Sequence, residues 1–452
     1  MDADLAQVRL PELRAVRPPL LLRPGPDHAR RGRRCRDHGA GPQRRDGVAG
    51  DGDDLHRATA RRHPAADQRA EHGHLGEPGL STPATEPADV EPGSPTAPAA
   101  DPAATAWLSW LRVVAICGVV SIHTVGYNAA EPDSLHTMRG QLARLLDFGF
   151  NFAVAAFVMV SGAMMLDPAR YQGPGAFLRK RTARLIPAVV FWHLWYVLFI
   201  RFVLERDMSL EEIAAATLNG RLYTALYFFW IVLGLSLLAP VLIPFVRDNG
   251  RRGALVAGLG AVAIPVLTLA TVRLRGTGQV FADTALTWWF PYVGFFLLGY
   301  ALRGVILRGV LLWLATAGVI VLAVFHAWAW RNPEVPVWLQ TVSPVGYYSL
   351  SGTISVCLVY LVFQGHIRPG GTLGVLTRPL GVRIGRLLGD ATLGVFALHL
   401  TVLYFVQQAE IGGPLPASPT THDLVIRLGV VLLITWTLVL LLRRIPYVRS
   451  LL

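Results

Sequence analysis

The chain is 452 residues long, with 52% hydrophobic residues, 16% charged residues and a formal net charge of +12. Ordinary soluble domains carry about 25% charged residues, so a string of soluble domains is excluded. Residues 1–105 hold 15 Arg and 16 acidic residues, which leaves 27 basic against 14 acidic residues in 106–452. The whole positive excess therefore lies in the apolar part. The cysteines, Cys35, Cys117 and Cys357, give neither a disulfide framework nor a ligand spacing for zinc.

Residues 1–105 are rich in Pro, Ala, Gly, Asp and Arg and have nothing with which to build a core. They are expected to form a disordered cytoplasmic tail, or to reflect a start codon assigned too far upstream. Arg30 to Arg34 make a basic cluster, but acids are interleaved with the tail's arginines and the first aromatic residue is Trp107. Nucleic acid is therefore not an expected partner. The apolar stretch from Pro18 to Leu22 is too short to serve as a cleavable signal.

From Trp107 onward, apolar runs recur at the length a helix needs to cross the hydrocarbon core. Ten spans are expected, near 107–127, 142–166, 184–204, 222–246, 254–272, 285–302, 305–328, 345–363, 386–408 and 424–442. The fold class is thus all-α, a polytopic membrane bundle of about ten helices over 106–452. Alternate loops collect arginine: Arg170 to Arg184, Arg247 to Arg252, Arg303 and Arg308, Arg368 to Arg386, and Arg443 to Arg449. By the positive-inside rule these loops face the cytoplasm, as do both termini of this multi-pass protein of the cell membrane. The loop after the fifth span is the exception, with Arg273 and Arg275 against Asp283.

Ionisable groups at bilayer depth are costly unless paired or hydrated, which makes each one a candidate. Arg112 and His123 stand eleven residues apart in the first span. At about 100° per residue they share one helix face, roughly 16 Å apart along the axis. Arg112 then sits near the cytoplasmic end and His123 in the outer half. Such a His takes a proton from a hydroxyl and returns it to a leaving thiolate, while the Arg binds a phosphate-bearing donor through two parallel hydrogen bonds. This chemistry calls for no metal. The plain alternative is an Arg that reaches to headgroups and a His satisfied by a carbonyl.

These residues also carry a resemblance. The Arg, ten intervening residues and His of the first span resemble the signature of the acyltransferase-3 family of integral membrane O-acyltransferases, the group containing O-antigen acetylases and the enterobacterial common antigen acetyltransferase. Phe157 to Gly162, Phe177 to Pro187, Leu226 to Pro240, Tyr292 to Tyr300 and Leu388 to His399 resemble further family segments in the family's order. The resemblance implies that His123 is the catalytic base, and that Arg112, Arg181 and Arg184 hold an acyl donor, acetyl-CoA in the simplest case, at the cytoplasmic face. No permanently bound cofactor is implied. His399, expected in the outer half of its span, would approach His123 and orient it or the acceptor; the alternative is a core His bonded to a backbone carbonyl. Ser161, Gly162 and Asp390 are supporting residues. Tyr227 departs from the family, which usually has Trp there.

The expected activity is transfer of an acyl group, most simply acetyl, to a hydroxyl of a sugar, polysaccharide or glycolipid of the cell envelope. A secondary transporter or flippase is the alternative, weakened because Asp147 and Asp390, both near span ends, are the only acids within the spans. A lipid-linked glycosyltransferase is a third reading, supported only by the acidic loop Glu205 to Glu212. His193 and His326 are expected to be structural.

Overall fold

The structure, a computed structural model, describes residues 101–131, 134–275 and 284–452. Nearly all of the expected tail, with Cys35, lies outside the described residues, as do Asp133 and Asp283. Among the described residues the regular elements are all helical. In chain order the α-helices are α1 (Ala106–Ala130), α2 (Met138–Phe148), α3 (Ala153–Met165), α4 (Pro174–Phe202), α5 (Leu210–Leu218), α6 (Tyr227–Arg275) and α7 (Val293–Leu302). There follow α8 (Gly309–Ala329), α9 (Val337–Val342), α10 (Leu350–His366), α11 (Pro379–Gly389), α12 (Thr392–Gln408), α13 (Thr421–Leu442) and α14 (Pro446–Arg449).

Local chemistry sets the helix ends. Thr137, Ser349 and Thr420 accept backbone N–H groups of the first turns of α2, α10 and α13, satisfying donors that have no partner within the helix. Ser209 and Glu212 form a reciprocal cap on α5. Pro174 and Pro379 open α4 and α11, where a missing N–H costs nothing.

Six stretches are long and apolar enough to cross a membrane: α1, Met138–Met165, α4, α6, α8 and α13; α11 with α12 makes up to seven. The ten expected spans reduce to this number for local reasons. The fourth and fifth run together in α6, whose Gly250 is non-helical at φ 61° and ψ −161°, a conformation that suits glycine. The chain folds back there. Gly234 lies against Trp289, just before α7, whereas Gly258 and Val262 in the second arm lie against Leu298 and Gly294, so both arms lie against the segment 289–302. The sixth expected span is helical only over Phe290–Leu302, and the eighth is the 17-residue α10. The ninth begins earlier than expected and bends by 54° between α11 and α12. Asp390 stands at that break.

Helix α1 is the hub, packed against α2, α3, α10, α11, α12 and α13. The outward faces of the peripheral helices are apolar and exposed, as at Val190, Val256, Leu267, Val310 and Leu433. Such a surface is stable in lipid and aggregates in water.

Helices α3 and α7 cross at backbone contact. A Cβ on Gly162 would lie 1.8 Å from the carbonyl oxygen of Phe296, and one on Gly299 would lie 1.9 Å from that of Met159. Small residues permit such close crossings in bilayers. Gly162→Ala is therefore expected to destabilise the bundle by about 1–3 kcal/mol through overpacking. A lowered melting temperature in detergent would show it. Gly175→Ala, where a Cβ meets nothing within 4 Å, serves as the control for the added methyl.

Candidate active site

Helix α1 carries both ionisable residues picked out by their spacing. Over its continuous helix, Arg112 and His123 lie three turns apart on one face. Both are half-buried.

At the first end, the Arg112 guanidinium rests on the Met164 sulfur at the close of α3. Asp390, Arg184 and Arg181 all lie within its electrostatic reach. Arg181 covers the Phe177 ring, with Cζ 5.6 Å from the centroid. Arg443, which the sequence reading treated only as a cytoplasmic marker, joins this group. Its Nη1 donates to the Leu387 carbonyl at 3.2 Å. Burial lowers its pKa, Asp390 opposes that, and Arg449 and Arg184 add to it. Four guanidiniums thus gather around the break between α11 and α12, where Asp390 is the acid that acts on both Arg112 and Arg443. Mutual repulsion makes such a gathering unfavourable until an anion enters it, and phosphate suits guanidinium geometry.

Towards the other end, the His123 ring lies 5.2 Å from that of His399, centroid to centroid, at an interplanar angle of 39°. His399 is fully buried. Its Nδ1 lies 2.7 Å from the Phe396 carbonyl oxygen and 3.2 Å from that of Val395. Carbonyl oxygens only accept, so Nδ1 carries the proton and Nε2 of the neutral ring keeps its lone pair. That Nε2 is buried without a hydrogen-bond partner. A neighbouring buried group is held in the same way: Tyr196 Oη donates to the Ala397 carbonyl at 2.7 Å.

The supporting residues divide. Asp390 joins the arginine group, but Ser161 Oγ donates to its own helix at Phe157, 2.9 Å away, and Gly162 serves the α3–α7 crossing. Tyr227 sets its ring 5.1 Å from that of Trp288. His193 places Nδ1 2.7 Å from the Val189 carbonyl oxygen. His326 has more around it than its sequence context indicated. Ser343 Oγ donates to Ser351 Oγ at 2.7 Å, Ser351 Oγ lies 2.9 Å from His326 Nε2, and the Phe148 backbone takes the ring's other hydrogen bond. The serines of 343–351 were the available signal, but nothing in their spacing tied them to a residue a whole loop earlier.

Neither the curated proteins nor the solved structures yield a match to the chain. The family model described as an acyltransferase domain (Acyl_transf_3) matches residues 105–442, from the threonine before α1 to the last residue of α13. With the match covering the histidine pair and Arg112, Arg181 and Arg184 of the arginine group, the chain belongs to the acyltransferase-3 family of membrane acyltransferases.

Proposed function

We propose that the protein is an O-acyltransferase of the cell membrane that moves an acyl group, acetyl in the simplest case, from acyl-CoA to a hydroxyl of a sugar or other envelope glycoconjugate. The observation that carries this reading is the pair of half-buried His123 and buried His399, ring centroids 5.2 Å apart, with His123 on the helix whose other end enters the arginine group. Arg112, Arg181 and Arg184 hold the donor's phosphates on the cytoplasmic side, where both termini lie. CoA is a long molecule with its phosphates at one end and its thioester at the other, which matches a site with cations at one end and a base about three helical turns away.

His123 takes the proton of the acceptor hydroxyl as its oxygen attacks the thioester carbonyl. The C–S bond then breaks, and the imidazolium returns the proton to the thiolate. His399, its Nδ1 committed to carbonyls, offers Nε2 as an acceptor that fixes the orientation of the reacting groups. Transfer is direct, or passes through an acyl-enzyme on another residue. Ten crossings of the bilayer fit this reading, with the two arms of α6 as separate spans and with α7, α10 and the α11–α12 pair as one span each.

The test is to incubate membranes carrying the protein with acetyl-labelled acetyl-CoA and an envelope glycan extract, and to follow label into base-labile ester. His123→Ala is expected to lose at least about a hundred-fold in rate, the contribution of a general base, with expression and insertion unchanged. Wild-type turnover by purified His123→Ala would remove His123 from the chemistry. Arg112→Ala is expected chiefly to raise the KM for the acyl-CoA. Arg112→Lys is expected to recover only part of that loss, since an ammonium cannot reproduce the guanidinium's planar fork; a lysine variant with wild-type KM would dismiss bidentate phosphate binding.

A further inference from the structure

Arg443 brings to the arginine group a cation to which the donor reading assigns no phosphate. It follows the last residue of α13, and the segment after it is tied back into the bundle. Trp192 Nε1 of α4 donates to the Leu451 carbonyl at 2.9 Å, the Gly394 N–H of α12 donates to the Leu452 carbonyl at 3.1 Å, and the Leu452 side chain is buried. The guanidinium itself is fixed without being satisfied. Nη1 donates to the Leu387 carbonyl, Nε is buried without a hydrogen-bond partner, and Arg449 and Arg184 act on it against the one acid Asp390.

Arg112, Arg181 and Arg184 are no better supplied. Among the described residues none of the four arginines pairs with a carboxylate at contact distance, and Asp167, just past α3, is spent on Arg170 and Arg303. Four guanidiniums against one carboxylate leave three positive charges. A pyrophosphate, with about two negative charges, does not exhaust them, whereas CoA also carries a ribose monophosphate worth about −1.5 to −2 at pH 7. Depth decides which cation meets which phosphate. Gly385 and Gly389 of α11 pack on Trp110 and Ser109 of α1, so Leu387, which lies between them and holds Arg443, is level with the residues that precede Arg112. Ser109 is three residues before Arg112, roughly 4.5 Å along the axis. Arg112 is therefore the deeper cation, and Arg443 lies nearer the cytoplasm in the proposed orientation. In CoA the pyrophosphate joins the arm that carries the thioester, and the ribose 3′-phosphate lies beyond it.

On the acyl-CoA reading of this site, on which this step rests, we propose that Arg443 binds the ribose 3′-phosphate of CoA and so selects CoA over pantetheine donors that lack that phosphate. Arg112 and the Arg181 and Arg184 pair then take the pyrophosphate. A phosphopantetheine thioester on a carrier protein, with a single phosphodiester, is accordingly a poor donor.

The test measures equilibrium binding of CoA and of 3′-dephospho-CoA to the full chain in nanodiscs of phosphatidylcholine, with no acyl group present to react. CoA is expected to bind about ten-fold more tightly or better, the worth of a charge-assisted contact. Arg443→Gln is expected to lose about ten-fold for CoA and little for dephospho-CoA, which brings the ratio of the two affinities close to one. Arg444→Gln, which removes the same charge from the exposed neighbour, is expected to keep the wild-type ratio. If Arg443→Gln does not fold, Arg443→Lys is expected to keep the charge and lose several-fold for CoA alone, since an ammonium lacks the planar fork. Equal binding of CoA and dephospho-CoA by the wild type, or an unchanged ratio in Arg443→Gln that melts like wild type, would overturn the proposal. So would collapse of the wild-type ratio when phosphatidylglycerol enters the disc, since Arg443 would then be a headgroup contact. Equal binding of the two together with label transfer from acetyl-CoA would sink this inference alone. A preference for CoA without label transfer would sink the acyl-transfer step and leave the 3′-phosphate site standing, and binding of neither would sink both.

Discussion

Helix α1 carries an arginine and a histidine into an apolar bundle, and the arrangement of the other helices follows from holding those two side chains there. A charge or an unpaired imidazole in a low-dielectric interior costs several kcal/mol unless partners are supplied. Helices α3, α11 and α12 bring those partners to α1: Met164 near the end of α3 meets Arg112, the bend after α11 brings Asp390, and α12 contributes His399. Arg181 and Arg184 of α4 oppose the Arg112 charge and leave the group short of an anion. A straight helix over 379–408 would not place both Asp390 and His399 beside α1 in this way, so the 54° bend is part of the site.

The same requirement accounts for the irregular backbone. Peptide groups inside a bilayer need internal partners, and here polar side chains supply them at several helix ends and connections. The buried Arg427 donates to the carbonyls of Ile411 and Gly413 in the α12–α13 connection. Asn128, near the end of α1, exchanges two hydrogen bonds with the Ser418 backbone at 2.8 and 3.2 Å. Gln364 accepts from the Gly304 N–H at 2.8 Å, and Tyr360 donates to the Gly299 carbonyl at 2.6 Å. Several of the buried polar residues are thus ties that fix loops rather than reactive groups. That gives more weight to His399 Nε2, which has no such tie.

How far the sequence disclosed this depends on whether the signal was local. The shared face of Arg112 and His123 was legible, because eleven residues at 3.6 per turn settle it without reference to any partner. The apolar runs were legible too, since length and hydropathy are properties of a single segment. The reversal at Gly250 was legible as well, because the charged stretch Arg247 to Arg252 divides two apolar runs there, whereas the break at Asp390 was not, because a single acid does not interrupt the apolar pattern strongly enough to divide a run. Arg443 and the Ser343–Ser351–His326 chain were hidden for another reason. Each depends on residues far apart in sequence meeting across helices, and positive-inside counting had already given Arg443 a sufficient explanation.

A bundle with cations gathered at one end of α1 and a histidine pair about three turns further along it implies a division of labour along that helix. On the proposed reading, phosphates bound near Arg112 keep the bulk of the donor on the cytoplasmic side, and the acceptor sugar stays on the other. Neither substrate then has to cross the bilayer. What crosses is the acyl group alone, along the three turns of helix that separate Arg112 from His123. An acetyl group is small and uncharged, so its passage through an apolar interior carries no Born penalty of the kind that would stop either polar substrate. A transporter would have to open this path to a whole solute by moving α1 against its neighbours. An acyltransferase needs the path only wide enough for a thioester arm, which is compatible with α1 packed on every side.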